Sequence, residues 1–136
     1  MSDHQSTGAA GGVRGMLRFE GLMLFTAALF LYAQAGAPWV LFFALFLVPD
    51  LSFIGYVFGP RAGAFAYNAM HTTVGPIVLA LASQLHLPTA LPLLPIAFIW
   101  FAHVGFDRAL GYGLKYASGF SDTHLGFIGK KRAQLA

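Results

Sequence analysis

Long stretches of hydrophobic residues make up most of this chain, and short polar or proline-containing turns separate them. No Asp, Glu, Lys or Arg occurs from Gly21 to Pro49 or from Ala62 to Phe106. A helix needs about 20 apolar residues to cross a bilayer, so the second stretch is long enough for two crossings joined by a turn. In lipid, backbone groups must satisfy one another, and a helix does this within one segment. The pattern therefore predicts membrane-spanning helices.

Three helix-breaking sequences divide the apolar residues into four segments. The breakers are QAGAP at 34–38, GPRAG at 59–63 and HLP at 86–88. Each combines residues that stop a helix with a glycine or proline at which the next one starts. The predicted helices are Met16–Ala33, Pro38–Phe58, Arg61–Leu85 and Pro88–Tyr112. Pro49 is predicted to kink the second helix at Asp50, and Pro76 is predicted to kink the third beyond His71. Because short loops place successive helices side by side, we predict an all-α fold, a four-helix transmembrane antiparallel bundle.

The composition agrees with a membrane protein. Hydrophobic residues make up 57% of the 136 residues and charged residues only 10%, whereas soluble domains usually carry about 25% charge. The net charge of +3 comes from basic residues that are scattered, apart from a short run at 130–132, so nucleic acid is not a predicted partner. The chain contains no cysteine, which excludes disulfides and thiolate metal ligands.

All eight basic residues fall on one side of the predicted bundle. They are Arg14, Arg18, Arg61, Arg108, Lys115, Lys130, Lys131 and Arg132. Basic residues are enriched in cytoplasmic loops, so both termini are predicted to be cytoplasmic, in a multi-pass protein of the cytoplasmic (inner) membrane. We divide the chain into a disordered tail at 1–13, a transmembrane domain at 14–113 and a cytoplasmic segment at 114–136.

The N-terminus also permits a second interpretation, a cleaved signal peptide. Arg14 and Arg18 precede an apolar run over 21–32, and Ala33-Gln34-Ala35 has the small-x-small pattern of a cleavage site. Cleavage would leave three spans. Glu20, at the head of the apolar run, argues against it, because signal peptides seldom carry an acid there.

Ionisable residues recur at one depth in the predicted helices. Asp50, His71 and His103 each lie nine or ten residues from the cytoplasmic end of their helix, or about 14 to 15 Å at 1.5 Å per residue. Asp107 lies one turn from His103 on the same helix face. Glu20 lies just inside the first helix. Because charged groups at membrane depth are costly, the five are expected to face one another and to mark a functional site.

Two histidines with carboxylates, and no cysteine, match the ligands that Zn, Mn or Fe prefer. We predict Asp50, His71, His103 and Asp107 as ligands of a divalent metal, and Glu20 or Asp107 as the catalytic general base. Supporting polar groups are predicted at Tyr67, Asn68 and His124. The alternative is a purely structural cluster of polar residues, in which each histidine is an ordinary buried one.

The segment after the fourth helix, GYGLKYASGFSDTHLG, is rich in glycine and aromatic residues. It is predicted to lie along the cytoplasmic membrane surface, with Tyr112 and Tyr116 as interface anchors and Lys115 near anionic head groups. An ordinary aromatic belt followed by a basic tail is the alternative interpretation.

The chain resembles a family of small bacterial membrane proteins, the domain of unknown function 4260 family. The matching sequences are RFEGL at 18–22, PDLSFIGY at 49–56, GPRAGAFAYNAMHT at 59–72 and HVGFDRALGYGLKYASGFSDTHLG at 103–126. This resemblance implies the fold but no activity. A looser similarity, limited to the PD and His/Asp pattern, is to membrane-bound metal-dependent hydrolases, although no segment here carries their paired histidines.

Four functions are compatible with these residues. The first is a metal-dependent hydrolase that acts on a lipid-type substrate from the cytoplasmic leaflet of the bilayer. The second is a small transporter or proton relay, which a chain of this length would form only as a homo-oligomer. The third is a b-type haem protein with His71 and His103 as ligands. The fourth is an accessory membrane subunit without catalytic activity.

Overall fold

The apolar segments form helices in the computed structural model, which describes residues 8–116 and 121–128. The α-helices are α1 (Gly11–Gln34), α2 (Trp39–Leu45), α3 (Pro60–His71), α4 (Val74–Ala82) and α5 (Leu93–Leu110). The 3₁₀ segments Val48–Phe58 and Ser83–Leu85 follow α2 and α4, and a hairpin of β1 (Asp122–Thr123) and β2 (Gly126–Phe127) follows α5. Apart from this small hairpin, the described elements are helical, as predicted.

Within the described residues, three stretches are long and apolar enough to cross a membrane. They are Gly11–Gln34, Trp39–Phe58 and Leu93–Leu110, and Val74–Leu85 is a shorter apolar stretch. Large apolar side chains on their surfaces point outward, and Val40 and Phe43 are 81% and 74% exposed. Soluble proteins rarely expose extensive apolar surface, so the helices indicate association with a membrane.

The third predicted helix is interrupted, which corrects the prediction of one helix over residues 61–85. α3 ends at His71, Thr72 is extended with φ −83° and ψ 156°, and α4 begins at Val74. Pro76 lies four residues after Thr72. It has no N–H to donate to the Thr72 carbonyl, and its ring would collide with that carbonyl in a continuous helix. The described chain therefore does not contain four uninterrupted spanning helices.

A second break occurs at Pro49, where the sequence predicts a kink. The α-helical hydrogen bonds of α2 stop at Leu45, four residues before this proline, because Pro49 cannot donate to the Leu45 carbonyl. The chain continues as a 3₁₀ segment of 11 residues. Long 3₁₀ runs are uncommon and often mark functional positions. This one carries Asp50 in its first turn.

The outer helices differ from their predicted bounds at the ends. α1 begins at Gly11 rather than Met16, so the predicted 1–13 tail is helical in its last three residues. α5 begins at Leu93 rather than Pro88, because Pro92 and Pro95 confine its start.

α5 ends at Leu110 with the hydrogen bonds of a Schellman motif. The N–H of Gly111 donates to the Arg108 carbonyl and the N–H of Tyr112 donates to the Asp107 carbonyl. Gly111 has a φ of 91°, which favours glycine. The chain therefore turns sharply after Leu110, two residues before the predicted end of the helix.

α1 and α5 pack closely along their length. A Cβ atom on Gly105 would lie 2.6 Å from the Phe25 backbone nitrogen, and one on Gly21 would lie 2.6 Å from the Arg108 Cβ. Glycine at both positions therefore lets the two backbones approach, as in many membrane helix pairs. At the other end, Tyr32 is fully buried and donates a hydrogen bond to the Pro38 carbonyl over 2.6 Å. α3 packs on the 3₁₀ segment Val48–Phe58, and α4 packs on α5.

Candidate metal centre

Four ionisable side chains from three elements meet beside α5. Asp50 comes from the 3₁₀ segment after Pro49, and His71 is the last residue of α3. His103 and Asp107 lie one turn apart on α5. Both helix breaks described above therefore fall beside this group, at Asp50 and immediately after His71. The four predicted metal ligands, Asp50, His71, His103 and Asp107, are the ones that the structure brings together.

Five of the six distances between the atoms that could bind a metal are nearly equal. His71 Nε2 lies 3.1 Å from His103 Nε2, 3.3 Å from Asp50 Oδ1 and 3.3 Å from Asp107 Oδ2. His103 Nε2 lies 3.2 Å from Asp50 Oδ1 and 3.3 Å from Asp107 Oδ2. The four ligand atoms all lie within 4.8 Å of one another.

Five of the six separations match the edges of a tetrahedral metal site, and the sixth, between the two carboxylate oxygens, lies within 4.8 Å. In a regular tetrahedron with edges of 3.2 Å, the distance between His103 Nε2 and Asp50 Oδ1, each corner lies about 2.0 Å from the centre, the usual bond length from Zn²⁺ to imidazole nitrogen or carboxylate oxygen. The donor set, two nitrogens and two oxygens, suits Zn, Mn or Fe. Geometry and donor chemistry therefore fit one divalent ion.

A backbone hydrogen bond orients His71 toward the group. Its Nδ1 lies 2.8 Å from the Tyr67 carbonyl, one turn earlier in α3. A carbonyl can only accept, so Nδ1 carries the proton in neutral His71 and Nε2 presents its lone pair to the other three side chains. Metal-binding histidines are commonly held in this way.

His103 is held by packing on α5. Its side chain is 1% exposed, and its ring contacts the Phe46 ring edge-to-face with centroids 5.4 Å apart. Its Nδ1 is buried and makes no hydrogen bond with the described residues, although the Phe46 backbone lies nearby. Nε2, the other ring nitrogen, faces His71.

Charge balance also favours a cation. If both histidines are neutral, Asp50 and Asp107 leave two negative charges in a partly buried group with side chains 34% and 15% exposed. Isolated charges are costly in an apolar environment. One divalent ion would cancel both charges and occupy the four lone pairs.

The predicted supporting residue Tyr67 covers one side of His71. The two rings stack with centroids 3.7 Å apart and an interplanar angle of 9°. Phe53 packs on Tyr67 in turn, with centroids 5.1 Å apart. Because Tyr67 is 2% exposed, its ring fixes the plane of the His71 imidazole.

A cavity of about 340 Å³ leads to the two carboxylates. It is lined by Asp50, Phe53, Tyr67, Asp107, Tyr112, Lys115 and Ile128. The Lys115 Nζ lies 4.5 Å from the centroid of the Tyr67 ring and 6.0 Å from that of Phe53, within the range of cation–π contacts. Burial lowers the pKa of Lys115 to about 8, and the negative charge of Asp107 opposes this shift.

Asn68, the second predicted supporting residue, holds the backbone of Lys115. Its Nδ2 donates to the Lys115 carbonyl and its Oδ1 accepts from the Lys115 N–H, both over 2.7 Å. Lys115 also pairs with Thr123 through an antiparallel bridge. The prediction of Lys115 at the membrane surface is corrected, because its side chain is 4% exposed and lines the cavity.

The remaining predicted site residues, Glu20 and His124, do not join the four. They line a separate cavity of about 210 Å³ with Arg108. The Leu114 N–H donates to His124 Nδ1 over 2.8 Å. Burial and the positive charge of Arg108 lower the pKa of His124. The expectation that Glu20 forms a wall of the same site is wrong, since Glu20 is exposed on α1 beside Arg108.

The haem alternative does not fit this geometry. His71 Nε2 and His103 Nε2 are 3.1 Å apart, with two carboxylates around them. Axial haem ligands bind iron from opposite faces of the macrocycle. These nitrogens are too close for a porphyrin to lie between them.

Comparison with known proteins identifies a family but no characterised relative. No curated protein and no solved structure matches the chain. The model of a protein family, described as Domain of unknown function (DUF4260), matches residues 14–128 and so covers most of the sequence. The matched region includes all four residues of the candidate metal centre. The chain therefore belongs to the family described as Domain of unknown function (DUF4260).

Proposed function

We propose that this protein is a membrane-embedded, metal-dependent hydrolase that acts on a lipid-type substrate. The observation that carries the proposal is the group of four ligand atoms, five of whose separations are 3.1 to 3.3 Å. Asp50, His71, His103 and Asp107 would hold one divalent ion, Zn, Mn or Fe. No other described part of the chain gathers three or more such ligands.

A catalytic ion keeps one coordination position for water, so either three of the four side chains would hold it, with water in the fourth position, or all four would hold it, with water as a fifth ligand. The ion would then supply an activated water, because it lowers the pKa of the water that it binds. The residues of this chain supply access and orientation. Asp50 is one-third exposed and lines the cavity, so a substrate entering there reaches the group from its side. Asp107 lines the same cavity and can accept a proton when it is not fully engaged by the ion.

The reaction class is ester hydrolysis. Water adds its oxygen to the acyl or phosphoryl centre, the ester bond breaks, and the leaving alcohol takes a proton from the water. The aromatic and aliphatic walls of the cavity, Phe53, Tyr67, Tyr112 and Ile128, suit a substrate that is partly apolar.

We further propose that the chain crosses the bacterial inner membrane four times, with both termini in the cytoplasm. The interrupted pair α3 and α4 would make the third crossing, with its break beside the metal centre. The positions of the basic residues support this orientation, since Arg14, Arg61 and Arg108 all lie at one end of the crossings. In this arrangement residues 14–113 form the membrane domain and 114–136 the cytoplasmic segment.

Metal analysis of purified protein tests the proposal. We expect about one Zn, Mn or Fe per chain, with a first shell of N and O ligands near 2.0 Å in X-ray absorption spectra. His71→Ala and His103→Ala should each lose most of the metal. His86→Ala is the matched control, because His86 is exposed in the turn after the 3₁₀ segment Ser83–Leu85. Protein that binds none of these metals, or loses none in the two variants, refutes the proposal.

A proton relay is the second candidate function. The 3.1 Å separation of the two Nε2 atoms is a hydrogen-bonding distance, and the flanking carboxylates could exchange protons with both rings. Proton flux into proteoliposomes that is abolished by Asp50→Asn and unaffected by a chelator would favour the relay over the hydrolase.

A further inference from the structure

Lys115 places a positive charge in the cavity that leads to the candidate metal centre. Its side chain is 4% exposed, although it lies outside the spanning helices. The cavity contains carboxylates from Asp50 and Asp107 on one side and the Lys115 ammonium on another. If a divalent ion neutralises the carboxylates, the charge that remains in the cavity is positive. Among the described residues that line the cavity, Lys115 carries it.

Lys115 is also close to the metal ligands. Tyr67 is stacked on His71 at 3.7 Å and holds the Lys115 ammonium 4.5 Å from its own centroid. The Lys115 ammonium therefore lies at most about 8.2 Å from the centre of the His71 ring. Because Asp50, Asp107 and Lys115 line one cavity, a group bound there would lie beside the two carboxylates as well as the ammonium.

The position of Lys115 is built from α3, the helix that carries His71. Asn68 is one residue after Tyr67 and three before His71, and its side-chain amide makes both hydrogen bonds to the Lys115 backbone. α3 therefore fixes a metal ligand, the ring that covers it and the backbone of the lysine. A side chain that served only as a surface anchor would not need this arrangement.

We propose that Lys115 binds the phosphate group of the substrate and that Asn68 positions it, which makes the substrate a phosphate monoester. This inference rests on the proposed hydrolase function. Lysine suits phosphate because its ammonium is a point charge with three donors. Cavity walls of Phe53, Tyr67 and Ile128 favour a phosphate on a lipid.

Hydrolysis of such a substrate balances without a further reactant. The oxygen of water forms a bond to phosphorus, and the bond from phosphorus to the ester oxygen breaks. The lipid alcohol takes one proton of the water, and the other stays on the released inorganic phosphate. The products are a diacylglycerol-type alcohol and phosphate.

Ligand binding to zinc-loaded protein in nanodiscs tests this inference. The probes are dioctanoyl phosphatidic acid, dioctanoylglycerol and inorganic phosphate. We expect phosphatidic acid to bind at least tenfold more tightly than dioctanoylglycerol. Lys115→Met should lower the affinity for phosphatidic acid about tenfold. Lys115→Arg should keep most of the affinity for phosphatidic acid, because the positive charge remains. Asn68→Ala should weaken the binding of phosphatidic acid even though Lys115 is still present. Arg61→Met is the control for the loss of one positive charge and should change nothing.

The outcomes separate this inference from the proposed function. Zinc-loaded protein whose affinity for phosphatidic acid is equal in wild type and Lys115→Met overturns the inference and leaves the hydrolase standing. Protein that holds no metal but binds phosphatidic acid through Lys115 supports the inference and overturns the hydrolase. If inorganic phosphate binds as tightly as phosphatidic acid and loses affinity in Lys115→Met, the result supports phosphate recognition by Lys115. The natural ligand is then a soluble phosphate compound and not a lipid. Zinc content, measured on every variant, identifies any variant that fails to fold.

Discussion

Two carboxylates in this protein have nearly the same membrane depth by sequence but different surroundings. Asp107 is 15% exposed and lies 3.3 Å from both His71 Nε2 and His103 Nε2. Glu20 is exposed on α1 and shares its cavity with Arg108 and His124. Glu20 therefore lies apart from the four central residues, beside an arginine, whereas Asp107 lies 3.3 Å from two imidazole nitrogens and belongs to the candidate ligand set.

Substituting each acid separately distinguishes their roles. Asp107→Asn should lower the bound metal severalfold, because a neutral amide is a poorer ligand than a carboxylate and leaves one charge of the ion uncompensated. Glu20→Gln should retain the full metal content. Elemental analysis after gel filtration measures both. Equal metal loss in the two variants would mean that Glu20 belongs to the site after all.

Helix geometry predicted the group of four central residues, because it brings three of them to one depth and Asp107 within one turn of that depth. His103 and Asp107 share a face by their four-residue spacing, and Asp50 and His71 are symmetric about the turn at 59–61. It failed for Glu20, since depth says nothing about which way a side chain faces. It also missed the place of Lys115 in the cavity, because its partner Asn68 is 47 residues away and no periodicity connects the two.

At the level of helices, the contact between α1 and α5 holds the molecule together around the site. Gly21 on α1 lies against Arg108 on α5, where an added Cβ would be 2.6 Å from the Arg108 Cβ and 2.8 Å from the Ala109 nitrogen. The Ala109 nitrogen is backbone and cannot move aside without displacing α5. Asp107 precedes Arg108, so this contact also positions one residue of the candidate metal centre.

Gly21→Ala should therefore destabilise the protein. The clash is expected to cost about 1 to 3 kcal/mol, more than the gain of up to about 1 kcal/mol from replacing a helical glycine by alanine. Gly15→Ala is the matched control on the same helix, because nothing lies within 4 Å of a Cβ there. Thermal unfolding in detergent should show a lower Tm for Gly21→Ala and an equal or higher Tm for Gly15→Ala. A higher Tm for Gly21→Ala would contradict the close packing of α1 on α5.

The elements themselves were predictable to different extents. Hydrophobic length predicted the helices, and Pro49 predicted a kink beside Asp50, where the α-helix in fact gives way to a 3₁₀ segment. The interruption after His71 was predicted only as a kink, because a proline in an apolar run can bend a membrane helix or end it. Here Thr72 becomes extended and the helix ends. The hairpin of β1 and β2 has strands of two residues each, too short to leave an alternating pattern.

The whole molecule raises the question of how many times the chain crosses the membrane. Three stretches are long enough by themselves, and Val74–Leu85 is too short unless α3 joins it across the break at Thr72. The positions of the basic residues favour four crossings. If α3 and α4 cross together, the turns around residues 35 and 89 lie on one side and the turn around residue 61 lies on the other.

Cysteine labelling decides between these topologies, since the natural chain contains no cysteine. Ala35→Cys, Ala62→Cys and Thr89→Cys each place a single thiol at an exposed position in a turn or at a helix end. In intact bacterial spheroplasts, a membrane-impermeant maleimide should label the cysteines at positions 35 and 89 but reach the one at 62 only after permeabilisation. Without a crossing by α3 and α4, positions 62 and 89 would lie on the same side and react alike. Labelling of position 62 alone would reverse the orientation and place the candidate metal centre nearer the outer face of the membrane.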